Sequence, residues 1–264
     1  MNHQCKLISS IEESVVEALD GTDSNLFPYL PYILQDLWEL GTSPEIVLNL
    51  VRKHTTDRSN LKVLDLGCGK GAVSIKLAKE LNCQCHGIDA VKEFIDEARN
   101  KAKEFNVEDY CSFERDDIRI RIRDFKGYDI IILGAIGPVL GDYYSTLTKL
   151  SKCLEEAGLI IIDDGYIADK SEFSHPSMEK RSVVLKKISE AGMKLVDETI
   201  INKEKLKESD AYMYRNLKKR CQELIKIHPD KRRFFVDYVR NQKEENEALE
   251  TKLICSTMLL GKKS

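Results

Sequence analysis

The chain has 264 residues, which is enough for one large domain or for a core with an insertion. Charged residues make up 32% of it and the formal net charge is −3, so the basic excess typical of nucleic-acid-binding proteins is missing. No run of 18 uninterrupted apolar residues occurs, and the N-terminus does not have the pattern of a signal peptide. We therefore expect neither a nucleic-acid partner nor a membrane partner.

The eight cysteines predict neither a disulfide framework nor a metal site. No Cys-x-x-Cys motif is present, and the closest pair, Cys83 and Cys85, would lie on one face of a buried strand. Buried thiols of this kind behave as small apolar side chains. Many unpaired cysteines are typical of a reducing compartment, so a cytoplasmic protein without a bound metal is expected.

Residues 1–56 are predicted to form an N-terminal helical arm. Ile8 to Leu19 has the pattern of a short amphipathic helix. A second helix is predicted to have Ser43 as its N-cap, Pro44 in its first turn and Arg52 near its end. The arm is interpreted either as a lid over a ligand or as ordinary packed helix.

The most informative segment begins at residue 61. An apolar strand ends in three glycines on alternate positions and a helical pattern follows at once: Gly67, Gly69 and Gly71. A strand that turns through glycines into a helix brings bare backbone close to a ligand. The negative charge of Asp65, at the end of the strand, would attract a cationic ligand and repel a pyrophosphate. The pattern therefore predicts a positively charged nucleoside as the ligand. The alternative is a glycine turn with a purely structural role.

A second strand-and-helix unit follows directly. Cys83 to Ile88 reads as a short strand that ends at Asp89, about 20 positions past the glycines, where a ribose-binding carboxylate is expected. The glycines and Ala72 also satisfy the loose dinucleotide fingerprint, which keeps an NAD(P)-dependent oxidoreductase as an alternative. The phosphate loop of nucleotide hydrolases is excluded, since Lys70 is not followed by Ser or Thr.

An ordered set of segments resembles the class I S-adenosylmethionine-dependent methyltransferases. It covers about residues 61–165 and consists of Asp65–Gly71, Gly87–Asp89, Phe113–Ile118, Tyr128–Leu133 and Leu154–Asp164, the last resembling the passage from a helix into the fifth strand. The resemblance implies an α/β fold with a doubly wound, mostly parallel seven-stranded sheet and helices on both faces. It also implies S-adenosyl-L-methionine as the cofactor.

The same resemblance assigns the cofactor site. It implies that Asp89 holds the ribose hydroxyls and that Asp117, rather than Asp116, contacts the adenine amino group. The full set of implied cofactor residues is Asp65, Gly67, Cys68, Gly69, Asp89, Ala90, Asp117, Ile118, Leu133 and Gly134.

The catalytic residues are not identified by the sequence. His175 and Tyr143 are candidates, although a lone loop histidine is also typical of a solvated surface. After the fourth strand, residues 134–138 lack the motif that nucleic-acid amino-methylating members of the family carry there. That absence argues against adenine or cytosine amino groups as acceptors.

The last third is predicted to complete the core. Ser177 to Ala191 reads as a helix, Met193 to Ile201 as a strand and Thr251 to Leu260 as the last strand. Residues 202–250 have a helical pattern and form an insertion between these two strands. The core therefore comprises residues 57–201 and 251–264.

The preferred hypothesis is a methyltransferase that acts on a small-molecule acceptor by in-line transfer. The alternative from another class is a module that binds the nucleoside without catalysis, and the insertion also offers a homodimer contact. Residues 26–45 and 202–250 are expected to line the acceptor pocket with aromatic rings, unless they only bury each other. The rings are those of Phe27, Tyr29, Tyr32, Trp38, Tyr212, Tyr214, Phe234, Phe235 and Tyr238.

Overall fold

The computed structural model describes residues 9–56 and 60–263. Within this part of the chain, seven strands form one sheet in the order β3-β2-β1-β4-β5-β7-β6. The strands are β1 (Lys62–Leu66), β2 (Gln84–Asp89), β3 (Cys111–Arg115), β4 (Tyr128–Gly134), β5 (Leu154–Tyr166), β6 (Met193–Ile200) and β7 (Ile254–Lys262).

Strands β1 to β5 are parallel, and β7 runs antiparallel between β5 and β6. Asp65 lies opposite Gly87 in the neighbouring strand, and Gly134 lies opposite Asp163. Parallel strands end at the same edge of a sheet, so the polar residues that end β1, β2, β4 and β5 collect along one edge.

Helices cover both faces of this sheet, as expected. They are α1 (Ile11–Ala18), α2 (Leu30–Ile33), α3 (Pro44–His54), α4 (Ala72–Leu81), α5 (Lys92–Glu104), α6 (Ile118–Arg121), α7 (Tyr143–Leu150), α8 (Arg181–Glu190), α9 (Lys203–Ile227) and α10 (Arg232–Thr251). Helices α3, α4 and α5 bury one face of the sheet, and α7 and α8 bury the other. The predicted doubly wound fold is confirmed, with a helical arm before it and a helical insertion between β6 and β7.

The arm and the insertion share a third apolar core. Leu30 and Ile33 of the arm are completely buried in the same cluster as Cys221 and Phe235 of the insertion. A short ion pair, Arg220 Nη2 to Asp36 Oδ1 at 2.6 Å, joins the two segments at the edge of this cluster. The arm therefore rests on the insertion as well as on the core domain.

Several boundaries differ from the predicted ones at the N-terminal end. The predicted start of the first helix at Ile8 lies outside the described residues, and α1 begins at Ile11. Its N-cap is Ser10, whose hydroxyl accepts the backbone N–H of Glu13 at 3.1 Å. Ser43 does precede α3, but its side chain makes no capping hydrogen bond to the described first turn of that helix. Pro44, which has no N–H to satisfy, begins the helix.

Boundaries also shift in the second half. Helix α8 begins at Arg181 rather than Ser177, because a bridge between Ile167 and Lys180 keeps the preceding segment extended. Strand β5 already starts at Leu154, where the sequence predicts a helix-to-strand passage. Thr251 ends helix α10, so the last strand begins three residues later than predicted.

Candidate functional site

The glycine turn after β1 is fixed by backbone hydrogen bonds to the end of β2. The N–H groups of Gly67 and Cys68 both donate to the carbonyl of Ile88, at 2.8 and 3.0 Å. Gly67, Gly69 and Gly71 have φ angles of 73°, 52° and 76°, which L side chains rarely adopt. A Cβ on Gly67 would also lie 2.7 Å from the side chain of Ile136. The turn therefore requires glycine for both conformation and space.

Asp89 organises the same turn from the end of β2. Its Oδ2 accepts the N–H of Gly69 and its Oδ1 accepts the N–H of Val91, both at 2.9 Å. Each carboxylate oxygen keeps a free lone pair for a further donor. Burial raises the pKa of Asp89, and the three backbone N–H groups around it oppose that rise. The carboxylate is thus pre-oriented at the mouth of the turn.

Asp65 lies deeper, beneath the glycine turn. Its Oδ2 accepts the hydroxyl of Ser74 at 2.7 Å, and the side chain is almost completely buried. Burial raises the pKa of Asp65 to about 6, partly opposed by the Ser74 hydroxyl. A narrow pocket next to it is closed by Trp38 and Thr42 of the arm. A cation placed here would offset the cost of the buried charge.

Lys70, inside the glycine turn, is the main residue that the sequence reasoning missed. Only 1% of it is exposed, its Nζ donates to the carbonyl of Leu34 at 2.9 Å, and it pairs with Glu97 at 2.8 Å. Its own carbonyl accepts the indole N–H of Trp38 at 3.0 Å. A lysine flanked by glycines gives no sequence signal for such partners, which lie in the arm and in α5. The result is a direct link between the glycine turn and the arm.

Asp117 caps helix α6 and is clamped by Arg119. The guanidinium contacts both carboxylate oxygens, with the shortest distance 2.7 Å, and its Nη1 also donates to the carbonyl of Ser9 at 2.9 Å. Burial acts to raise the pKa of Asp117, but hydrogen bonds from Arg119 outweigh it and the net shift is downward. Arg119 therefore fixes Asp117 as a carboxylate and joins it to the start of α1.

The glycine turn, Asp89 and Asp117 border a crevice of about 100 Å³ at the sheet edge. Asp65 and Cys68 line the narrower adjoining pocket, and Leu133 is buried in the core and lines neither. The opposite wall is the face of α1 that carries Ser14 and Ala18. Seven of the ten predicted cofactor residues line the crevice itself: Gly67, Gly69, Asp89, Ala90, Asp117, Ile118 and Gly134.

A larger cleft of about 430 Å³ adjoins this crevice. The two cavities share the inner face of α1 and the loop that follows β4. The remaining walls of the cleft come from the end of β5, the loop that holds His175, and the helices α9 and α10. A ligand in the cleft would therefore be covered by the arm and by the insertion.

The two candidate catalytic residues take different places. His175 lines the cleft, with Nε2 3.6 Å from Glu245 Oε2 and Nδ1 3.1 Å from the hydroxyl of Ser177. Tyr143 is not among the described residues that line the cleft, and its hydroxyl donates to Asp164 Oδ2 at 2.9 Å. Burial raises the pKa of Tyr143 well above its usual value, so its phenol is a poor base. Tyr143 positions Asp164.

The expectation of an aromatic acceptor pocket is wrong for most of the rings. Of the nine aromatic residues named above, Tyr238 alone lines the described part of the cleft. Tyr29 meets Phe234 and Phe235 edge to face, with ring centroids 6.3 and 5.1 Å apart, inside the arm–insertion core. Trp38 stacks on Phe105 at 5.1 Å. Tyr29, Phe234 and Phe235 thus hold the arm and the insertion together, whereas Trp38 packs the arm against the end of α5.

Within residues 9–56 and 60–263, none of the helices combines the length and the apolar composition of a membrane span. In the same ranges, no three His, Cys, Asp or Glu side chains are grouped so that they hold a metal ion. Cys83 and Cys85 are both buried, with their sulfur atoms 3.6 Å apart.

Comparison with known proteins decides the family. A family model described as a methyltransferase domain matches residues 57–220, which is more than half of the chain. The chain belongs to the class I S-adenosylmethionine-dependent methyltransferases. The predicted family is confirmed, and S-adenosylmethionine is the cofactor of this methyltransferase family.

Individual relatives are more distant. The chain is 28% identical over 151 residues to a ribosomal protein L11 methyltransferase of Dictyoglomus thermophilum, which covers 57% of this chain and 47% of that protein. The chain spans about half the length, or less, of the curated relatives it matches.

Two solved structures show the same fold over nearly the whole methyltransferase. A Geobacter sulfurreducens S-adenosylmethionine-dependent methyltransferase, solved with S-adenosyl-L-homocysteine, has a TM-score of 0.75 at 16% identity and covers 89% of this chain and 98% of its own. The [4+2]-cyclase SpnF has a TM-score of 0.70 at 12% identity and covers 97% of both chains.

Proposed function

We propose that this methyltransferase transfers the methyl group of S-adenosylmethionine to a small-molecule acceptor held in the cleft. The observation that carries the proposal is the placement of the cleft, about 430 Å³ in size, beside the crevice of the glycine turn. A covered cleft of this size suits a small ligand, whereas a folded protein or a nucleic acid would need an open surface. The arm and the insertion would also exclude water from the methyl group.

The crevice suggests how the cofactor would lie. Asp89 would accept the ribose hydroxyls with the lone pairs that Gly69 and Val91 leave free. Asp117 would accept the adenine amino group, and Ala90 and Ile118 beside it would flank the ring.

The remaining predicted residues would hold the methionine part. Asp65 and the narrow pocket next to it would receive the ammonium end, since Lys70, which also lines that pocket, donates to Leu34 and Glu97 and not to Asp65. The backbone of Gly67, Cys68 and Gly69 would approach the chain between the two ends. Leu133 and Gly134 end β4, and Gly134 lines both the crevice and the narrow pocket.

The proposed reaction needs little from the side chains. A methyl group on a sulfonium is already activated, so placing the acceptor in line with the S–CH₃ bond supplies most of the acceleration. The acceptor lone pair forms the new C–X bond while the C–S electrons return to sulfur. His175 is the described cleft residue best suited to take up a proton that the acceptor releases.

The alternative function is a protein that binds the nucleoside but transfers no methyl group. It is retained because the same fold occurs in a protein described as a [4+2]-cyclase.

Calorimetric titration with S-adenosylhomocysteine, S-adenosylmethionine and NADH tests which cofactor the protein binds. Tight NADH binding without a response to S-adenosylhomocysteine would contradict both functions.

The acceptor class needs a separate experiment. The protein is incubated with methyl-labelled S-adenosylmethionine and an extract of its source, and the extract is then divided by ultrafiltration. Label in the small-molecule filtrate supports the proposal, and label in the protein or RNA fraction contradicts it. Cofactor binding without any labelled product would favour the non-catalytic alternative.

A further inference from the structure

The walls of the cleft are strongly acidic. Among the described lining residues, Arg119 is the one lysine or arginine, and its guanidinium is already engaged by Asp117 and Ser9. Carboxylates reach the cleft from the arm, from the end of β5 and from both helices of the insertion: Glu17, Asp20, Asp163, Asp164, Asp210 and Glu245. The cleft therefore carries an excess of negative charge.

Asp163 is buried, but one of its carboxylate oxygens has no hydrogen-bond donor among the described residues. The residue is 8% exposed, and its Oδ2 makes no hydrogen bond to any described residue. The hydroxyls of Thr42 and Thr257 lie near it, but neither makes a hydrogen bond of acceptable geometry with Oδ2. An unpaired buried carboxylate is costly, so its place on the cleft wall indicates that a ligand supplies the missing donor.

Asp210 repeats this situation on the opposite wall. It is 3% exposed, and its Oδ2 also has no hydrogen-bond partner among the described residues. It lies on the face of α9 that lines the cleft, where Leu206, Met213 and Leu217 are apolar and Ser209 is the other polar residue. An acid at such a position has no packing role that an apolar residue would not fill better.

The negative charges of four cleft carboxylates all affect the same cysteine thiol. The thiol of Cys255 lies in the wall between them, and its pKa is raised to about 12 by burial first and then by Asp163, Asp210, Asp164 and Glu245. Asp164 and Glu245 already have neighbours in Tyr143 and His175, so they add to the negative field. Asp163 and Asp210 are the two cleft acids with a buried side-chain oxygen that has no hydrogen-bond partner among the described residues.

We propose that the acceptor is a small organic molecule with an ammonium group, which binds in the part of the cleft bordered by Asp163 and Asp210 and leaves another atom of the acceptor to supply the lone pair for the methyl group. This inference rests on the proposed methyltransferase function and narrows its substrate class. An ammonium group offers up to three N–H donors for the unpartnered carboxylate oxygens, and its charge offsets the acidic walls. A neutral or anionic acceptor would leave both carboxylates unpaired in a desolvated cleft.

The test uses the wild-type protein saturated with S-adenosylhomocysteine and a matched set of four-carbon probes. Butylamine and 1,4-diaminobutane are compared by calorimetry with butan-1-ol and butanoate at slightly alkaline pH. The amines should bind about tenfold or more tightly than the alcohol and the acid, and added salt should weaken them. Equal binding of all four probes, a preference for butanoate, or binding of Mg²⁺ with no amine binding would overturn the inference.

Two isosteric variants locate the site. Asp163→Asn and Asp210→Asn should each weaken amine binding by about tenfold or more and leave the affinity for S-adenosylhomocysteine unchanged. Glu208→Gln is the matched control, because Glu208 lies on the exposed side of the same helix as Asp210 and does not line the cleft. Unchanged amine binding in both Asn variants would overturn the inference. If neither variant folds, the wild-type probe series decides alone.

Different results would contradict the proposed methyltransferase function and the amine inference. Loss of S-adenosylhomocysteine binding in the wild type would contradict the proposed function. Normal S-adenosylhomocysteine binding without a preference for amines would contradict only the amine inference.

Discussion

The buried ammonium group of Lys70 donates a hydrogen bond to the carbonyl of Leu34 at 2.9 Å, across 36 residues of sequence. Together with the ion pair to Glu97, this contact ties the cofactor turn to the arm and to α5. Removing the ammonium group leaves a buried carbonyl without its donor, which is more costly than losing a surface contact. We therefore predict that the position of the arm and binding of the cofactor are coupled through this side chain.

Replacement of this lysine is therefore expected to affect stability and cofactor binding together. Lys70→Met should lower the free energy of unfolding by about 1–3 kcal/mol and weaken binding of S-adenosylhomocysteine. Urea denaturation and calorimetry measure the two effects. Lys92→Met is the control, since Lys92 forms an exposed pair with Asp96 on α5 and should change neither quantity appreciably. A Lys70 variant as stable and as tightly binding as the wild type would show that the arm is held elsewhere.

Asp89 is expected to carry much of the cofactor affinity. Asp89→Ala removes charge-assisted hydrogen bonds worth about 1.5–3 kcal/mol each and also releases the N–H groups of Gly69 and Val91. The dissociation constant of S-adenosylhomocysteine should rise about tenfold to a hundredfold or more. Glu93→Gln, an exposed acid in the first turn of α5, should leave it unchanged. If calorimetry finds equal affinities for the Asp89 variant and the wild type, the carboxylate has only a structural role.

The succession of strands and helices along the chain and the glycine turn were predictable because they depend on local patterns. Alternating glycines, short apolar runs, Asp65 and Asp89 indicate the sheet edge, and the resemblance to the methyltransferase family supplied Asp117 and the other crevice residues. The partners of Lys70 and Arg119 were not predictable, since they lie in segments distant in sequence. The aromatic rings illustrate the same limit, because spacing cannot tell whether a ring faces a cavity or another ring. Asp210 did leave a signal, as an acid on a mostly apolar helical face.

The arm is expected to respond to the cofactor, although not uniformly. Helix α1 forms one wall of the crevice, while Leu30 and Ile33 are already buried against the insertion. Hydrogen exchange with and without S-adenosylhomocysteine should show the largest gain in protection in residues 11–18, 34–42 and 67–71. A smaller gain is expected in residues 26–33. Protection confined to the glycine turn and the core strands would show that the arm is not a lid.

His175 is expected to influence turnover rather than cofactor binding. His175 lines the cleft but not the cofactor crevice, and among the described residues its hydrogen bonds go to Ser177. If it accepts the proton of the acceptor, His175→Gln should lower kcat by about a hundredfold and leave the affinity for S-adenosylhomocysteine unchanged. Ser171→Ala, in the same loop, serves as the control. Wild-type turnover in the His175 variant would remove the histidine from the mechanism.

The unpaired carboxyl of Asp163 should make the stability of the ligand-free protein depend on pH. Burial raises the pKa of Asp163 from 3.8 to about 7, with a contribution from Asp164 on its own strand; Thr42 before α3 and Thr257 on β7 oppose the shift. Asp210 and Glu245 face it across the cleft from the insertion. Between about pH 4 and pH 7, Asp163 is therefore protonated in the folded protein and ionised in the unfolded chain. The contribution of the protonated Asp163 to the free energy of unfolding is fully present below about pH 4, and it is lost as the pH rises through 7.

Asp163→Asn removes this titration, so its effect should change with pH. At pH 8 the variant should be more stable than the wild type by about 2–4 kcal/mol, because the fold no longer contains an unpaired buried charge. At pH 5 the difference should fall to about 1–2 kcal/mol, because Asp163 is then protonated in the folded protein but still ionised in the unfolded chain, and it should vanish only below about pH 4. Urea denaturation at the two pH values measures the change. Asp197→Asn is a control of opposite sign, because Lys53 and then His54 lower the pKa of Asp197, and its loss should destabilise the fold at neutral pH. A stability difference for Asp163→Asn that is the same at both pH values would show that Asp163 has a partner in solution.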